Sequence, residues 1–191
     1  MGKLIYFAMT SLDGFVADQD GNFEWAMPSE EVHAYINNIA RNVGTSLLGR
    51  NMYEIMKVWD TMPTEGTGGP MDGPSEAMND YAKIWLAAKK IVYSTTLSDV
   101  AIANAKIERA FNPEAVKKLV AESNKDFDIS GPHLAAEAIK AGIVDEYHQI
   151  LVPVIIGSGN YWLPKDVQVN LELVNVRKFE NDFVHLQYRK V

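Results

Sequence analysis

At 191 residues, with 47% of them hydrophobic and no cysteine, the chain can bury a sizeable core and has no disulfide, thiol nucleophile or cysteine-based metal site. Its 18 Lys and Arg against 25 Asp and Glu leave a net charge of −7, which opposes non-specific attraction to nucleic acid or to an anionic membrane. No apolar span approaches transmembrane length, and the 4 histidines are scattered without a paired helical motif, so neither a membrane protein nor a histidine metal site is expected.

Lys3 to Met9 reads as a first strand rather than a signal peptide, which gives the expectation of a cytoplasmic protein. Asp13-Gly14 and Asp18-Gln19-Asp20-Gly21 are turn-forming sets. Ser29 caps a helix whose Val32, Tyr35, Ile36 and Ile39 fall at helical spacing and form an inward stripe. Thr45 to Leu48 is a buried strand that passes through Gly49 and Arg50 into another helix. Between Asp60 and Pro74 lies a Gly/Pro-rich stretch, placed where a mobile flap could sit.

Ser75 to Leu86 is then helical, and Lys90 to Tyr93 is a strand that ends in Ser94-Thr95-Thr96. Pro113 to Ser123 is a helix with proline at its start. Asp126 to Ile129 forms a strand that runs through Ser130-Gly131-Pro132-His133-Leu134 into a helix, with Ser130 placed to cap it. The remaining chain changes character. Asp145 to Ile156 is a long β-branched run, and Val169 to Phe179 with Phe183 to Arg189 read as antiparallel partners, Val184, Leu186 and Tyr188 marking a buried face. With no repeat and no shift in composition, residues 1–191 are expected to form a single domain. The order of elements predicts an α/β sandwich whose mainly parallel centre gains an antiparallel C-terminal edge.

Chemistry concentrates at strand-to-helix junctions. At Gly49-Arg50 a glycine admits a ligand to the backbone, and a guanidinium lies beside the unpaired amides of a helix start, a combination that suits phosphate. Ser130-Gly131-Pro132 has similar chemistry, and the hydroxyls of Ser94 and Thr95 suit phosphate oxygens. Each also has a plain reading as cap or turn. Parallel strands bring their carboxyl ends to one sheet edge, so the three junctions together are harder to dismiss. Gly157-Ser158-Gly159 lacks the full nucleophile-elbow pattern, which disfavours a hydrolase.

Ser11-Leu12-Asp13-Gly14-Phe15-Val16-Ala17, Leu48-Gly49-Arg50-Asn51-Met52-Tyr53-Glu54, Tyr93-Ser94-Thr95-Thr96-Leu97, Ser130-Gly131-Pro132-His133-Leu134-Ala135 and Val152-Pro153-Val154-Ile155-Ile156-Gly157-Ser158-Gly159 follow one another in a specific order. In that order the chain resembles dihydrofolate-reductase-like proteins, above all the reductase (C-terminal) domain of the bacterial riboflavin-biosynthesis bifunctional deaminase/reductase. The resemblance implies a three-layer sandwich that binds NADPH. Gly49 and Arg50 would lie at the dinucleotide phosphates and Ser94 and Thr95 beside the adenosine 2′-phosphate. Ser130, Gly131, Pro132, His133 and Leu134 would line the pyrophosphate turn. Where the family commonly has two adjacent glycines this chain has Ser130-Gly131, and a cis or distorted peptide is expected there.

The resemblance also implies Glu30 as an acidic catalytic residue and Trp25 and Asp13 as substrate contacts. Each keeps an alternative from its own residues: a first-turn glutamate favoured by the helix dipole, a tryptophan covering the core, and an Asp-Gly turn. The expected activity is NADPH-dependent reduction of a small heterocyclic, pterin- or pyrimidine-like, or carbonyl-like molecule. True dihydrofolate reduction and a noncatalytic NADPH-binding or sensing protein stand as alternatives. A homodimer is expected as well, from the resemblance and from the apolar run Ile150 to Ile156, which the chain must cover either with itself or with a second copy.

Overall fold

The structure, a computed structural model, describes residues 1–65 and 75–191. Most of the Gly/Pro-rich stretch suggested above as a flap therefore lies outside the described residues. The elements are β1 (Leu4–Thr10), β2 (Phe15–Ala17), α1 (Glu30–Ala40), β3 (Val43–Gly49), α2 (Arg50–Met56), α3 (Glu76–Ala87), β4 (Lys89–Tyr93), β5 (Ala105–Glu108) and α4 (Pro113–Glu122). They continue with β6 (Asp126–Ser130), α5 (Pro132–Lys140), β7 (Glu146–Leu151), β8 (Asn160–Tyr161), β9 (Leu171–Lys178) and β10 (Val184–Lys190).

An eight-stranded sheet runs in the order β5-β4-β3-β6-β1-β7-β10-β9. Neighbours from β5 to β7 pair in parallel, and β10 pairs antiparallel with both β7 and β9. The period of two along each strand decides which helices it meets. Leu4, Tyr6, Leu47, Phe127 and Ile129 point to one face, where Val116 and Val120 of α4 and Leu134, Ala135 and Ala138 of α5 close over them. On the opposite face Phe7, Met9 and Ile150 meet Val32, Tyr35 and Ile36 of α1, and Leu48 and Val92 meet Tyr53 of α2 and Trp85 of α3. The result is the expected three-layer α/β sandwich with an antiparallel C-terminal hairpin.

Four details differ from the sequence reading. The strand expected over Asp145 to Ile156 ends at Leu151, because Pro153 has no N–H to give a ladder; the Val154 N–H turns back to the Val152 carbonyl at 2.8 Å. The expected buried face of β10 is only half-buried at Val184, Leu186 and Tyr188, whereas His185 on the other face is sealed from solvent. Ile150 and Val152 are buried by the chain itself, so the apolar run that argued for a dimer is covered there, and the exposed apolar strand is β9. Finally, no described peptide bond is cis: Gly131 makes the turn through a φ of 96°, which a residue with a Cβ rarely adopts.

Candidate active site

Strand register gathers the predicted junctions. Leu48 lies beside Ser130 and Gly49 beside Tyr93, so β3, β4 and β6 end together. The helices that start there differ from the rest. Ser29, Ser75 and Asn112 accept an amide hydrogen bond at the starts of α1, α3 and α4, whereas α2 and α5 begin with glycine and have no side-chain cap. Ser130 does not cap α5 as expected. It is the last residue of β6, its hydroxyl donates to Asp128 Oδ2 at 3.0 Å, and Gly131 takes the cap position. Among the described residues, the first-turn amides of α5 are thus left without a side-chain cap at the sheet edge.

Around this edge the polar groups converge. Arg50 is exposed and its Nη1 donates to Thr96 Oγ1 at 2.6 Å, which ties the β3 end to the loop after β4. Ser94 is buried, and its Oγ accepts from the amides of Thr96 and Leu97 at 3.3 and 3.1 Å, while Thr95 is exposed. Arg109, which the sequence reading missed, donates from Nη1 to the Ser94 carbonyl at 3.0 Å and also to that of Leu97. Two guanidiniums therefore flank the Ser94–Thr96 hydroxyls; Arg109 directly follows edge strand β5, which the sequence reading did not identify. Pro132 and exposed His133 open α5, and the Leu134 side chain packs into the core, leaving only its backbone for the turn.

The predicted substrate residues lie apart from that cluster. Asp13 accepts from the Ile156 and Gly157 amides at 3.3 and 2.7 Å, binding the first loop to the loop after β7. Its pKa is lowered, chiefly by the Ser11 hydroxyl and then by those amides. The nearby Gly157-Ser158-Gly159 is a close approach of backbones: a Cβ on Gly159 would lie 2.0 Å from the Ala17 carbonyl oxygen. Trp25 packs with Ala26, Val32, Phe179 and Phe183. Glu30 is exposed and caps α3 from outside, Oε1 accepting from the Ala77 amide at 2.8 Å. The Ser75 hydroxyl and then that amide lower its pKa, so the carboxylate is ionised at neutral pH.

Two buried polar groups were missed altogether. Asp128, inside β6, shares a sheet face with Ser130, which strand alternation in Asp126-Phe127-Asp128-Ile129-Ser130 already implied. Burial raises its pKa, against the stabilising hydroxyls of Ser46 and Ser130. Further along the sheet a relay runs from Glu146 Oε2 to His148 Nε2 at 3.4 Å, from His148 Nδ1 to His185 Nε2 at 3.1 Å, and from His185 Nδ1 to Tyr35 Oη at 3.0 Å. Its members come from β7, β10 and α1, and only the β7–β10 register, which pairs Gln187 with His148 and His185 with Ile150, brings them together. Among the described residues no group of His, Asp and Glu is arranged to hold a metal ion, and no helix is long and apolar enough to cross a membrane.

A parallel-centred sandwich closed by an antiparallel hairpin, with uncapped helix starts and arginines at one sheet edge, defines a dihydrofolate-reductase-like α/β protein. The chain belongs to the RibD C-terminal domain family, whose profile matches residues 2–185. It is 26% identical over 189 residues to the uncharacterized protein YyaP of Bacillus subtilis (strain 168), covering 97% of this chain and 94% of YyaP. Among solved structures it is similar to a candidate riboflavin biosynthesis protein from Shewanella sp. PV-4, with a TM-score of 0.74, 17% identity and 99% of each chain covered. It is also similar to a dihydrofolate reductase from Enterococcus faecalis solved with NADP(H), with a TM-score of 0.60, 14% identity, and coverage of 99% of this chain and 96% of that one.

Proposed function

We propose that the chain is a single-domain, NADPH-dependent reductase of a small, planar heterocyclic or carbonyl-like molecule. The observation that carries the reading is the uncapped start of nine-residue α5 at the same edge as Arg50, Arg109 and the Ser94–Thr96 hydroxyls. A dinucleotide presents a pyrophosphate and, in its phosphorylated form, a 2′-phosphate; helix-start amides suit the first and guanidinium forks with hydroxyls the second. The dihydrofolate reductase of similar fold was solved with NADP(H). Membership of the RibD C-terminal domain family supports the same class of chemistry.

The residues present fit the cofactor. Gly131 turns the chain with positive φ, and a Cβ built on it would come no nearer than 3.7 Å to the Met52 Cβ, so protein packing does not fill the approach to the backbone there. Gly131, His133 and Leu134 would offer backbone to the pyrophosphate, and Arg50, Arg109 and Thr95 would hold the 2′-phosphate. When bound, the cofactor supplies a hydride. This chain's residues orient it against the substrate and exclude water.

The test is the ratio of NADPH to NADH dissociation constants, measured at fixed ionic strength for the wild type and for Arg50→Ala. Charge-assisted hydrogen bonds worth about 1.5–3 kcal/mol predict a preference for NADPH of roughly 10- to 150-fold, much of it lost in the variant. Equal affinity of the wild-type protein for the two cofactors refutes the 2′-phosphate site.

A further inference from the structure

The sequence offers no evident proton donor for a reduction, and Glu30 is held ionised at the start of α3. The buried layer between the sheet and α3 contains a different carboxyl. Asp128 lies between Ile5 of β1 and Ser46 of β3 in strand register. The hydroxyls of Ser46 and Ser130 stabilise the carboxylate, and Ser130 Oγ donates to Oδ2 at 3.0 Å. The other oxygen, Oδ1, is buried and has no hydrogen-bond partner among the described residues. A buried carboxyl oxygen without a donor costs stability, and proteins seldom keep one idle.

The surroundings state what would satisfy it. Tyr81 of α3 lies close enough for the Asp128 charge to raise its pKa further, after burial. The Tyr81 ring packs edge-on to Trp59 at 4.7 Å and lies 5.8 Å from the His33 ring. Asp128 and all three rings are half-buried rather than sealed from solvent. Through Ser130 the carboxyl is one residue from Gly131 and the start of α5. A carboxyl beside an aromatic cluster suits a planar ring that presents a nitrogen or carbonyl oxygen at its edge.

We propose that Asp128 is the carboxyl that meets the substrate, hydrogen-bonding a ring nitrogen or carbonyl oxygen of a planar heterocycle seated against Tyr81, Trp59 and His33 and giving it a proton. The assignment rests on the reductase reading above. In the step, the carbon of a C=N or C=O bond takes a hydride with both its electrons from the reduced nicotinamide. The π pair moves to the nitrogen or oxygen, which takes the proton from Asp128. The oxidised nicotinamide, the reduced substrate and an Asp128 carboxylate remain, and water returns the proton to the carboxylate. Burial favours the protonated acid that this step consumes.

The probe is 2,4-diaminopyrimidine, a base whose ring nitrogen and amino group face a carboxyl edge-on. Calorimetry without cofactor should give binding to the wild type and binding about 10- to 100-fold weaker to Asp128→Asn, the loss of a charge-assisted hydrogen bond. Carbon NMR of aspartate-labelled wild type is a second measurement that needs no variant. In a pH titration, the aspartate resonance that burial keeps protonated to higher pH than those of Asp13 and Asp18 should move to the carboxylate position as the probe binds. Equal affinity of the two proteins, no binding to the wild type, or an unmoved resonance overturns the assignment. Probe binding through Asp128 in a protein that binds no NADPH overturns instead the reductase reading, and with it the proton-donating step.

Discussion

The relay beneath α1 makes stability depend on pH in a window that one histidine should dominate. His185 is fully buried, and burial first, then the nearby charge of His148, pull its pKa down to about 4 from 6.5. A single arrangement of protons satisfies the neutral chain: Tyr35 donates to His185 Nδ1, His185 Nε2–H to His148 Nδ1, and His148 Nε2–H to Glu146. An added proton on His185 Nδ1 would force Tyr35 from donor to acceptor, and Arg177, whose guanidinium lies 4.7 Å over the Tyr35 ring, adds positive charge to the neighbourhood. A depressed folded value means that the unfolded chain binds the proton more readily. Stability from this group is therefore complete above about pH 6.5 and is lost as pH falls toward 4. At about 1.4 kcal/mol per unit, the full loss is on the order of 3 kcal/mol, a large part of a typical domain's stability. Glu146, whose pKa His148 and then Lys3 lower to about 2, loses its contribution only below about pH 4.5. His33, lowered by burial, adds to the slope, and the raised Asp128 opposes it. Urea unfolding of wild type and His185→Gln between pH 7.5 and 4.5 separates His185 from these background groups. The wild type should lose about 2 kcal/mol more than the variant across that range. Parallel curves refute the relay as drawn.

Glu30→Ala should lower stability by about 0.5–2 kcal/mol, because the Ala77 amide loses its acceptor, whereas Glu30→Gln, which keeps an acceptor oxygen, should stay within about 0.5 kcal/mol of wild type in urea unfolding. All eight residues of edge strand β9 are exposed, with Leu173, Val174 and Val176 about half accessible, and a second copy is expected to cover them. Light scattering should give a dimer in the micromolar range that Val174→Lys with Val176→Lys converts to a monomer; a monomeric wild type refutes the expectation.

The layers were legible because local signals agree with one another. Ser29, Ser75 and Pro113 mark three helix starts, and the apolar runs at Thr45–Leu48 and Lys90–Tyr93 are framed by polar loops. The gathering of Gly49, Tyr93 and Ser130 at one edge was also legible, since it follows from parallel pairing alone. What the sequence hid depends on contacts distant along the chain. Glu30 at a helix start suggests either a dipole interaction or a catalytic acid, but its partner, Ala77, is 47 residues away on another helix. His148 and His185 are separated by 37 residues, and nothing local indicates that β10 will turn its histidine inward rather than Val184, Leu186 and Tyr188.

Asp128 has a different explanation. Its face was readable from alternation, but polar Asp126, Asp128 and Ser130 alternating with Phe127 and Ile129 read as a strand whose polar face meets solvent, and the conflict appears only when the fold buries that face. A local conflict in an otherwise consistent sequence is where function is expected to outweigh packing. The capping arrangement supports this division of labour. Glu30, although placed by the first loop where a substrate acid was expected, spends its carboxylate on the start of α3 and so fixes the helix that carries Tyr81. Asn37 reinforces the same contact from two turns further along α1, donating to the Ala77 carbonyl at 2.8 Å and to Asp80 at 2.7 Å. Together they hold α3, and with it Tyr81, against α1. An ionised carboxylate at the start of α3 can act through that geometry, while the proposed proton source is the acid whose pKa burial raises.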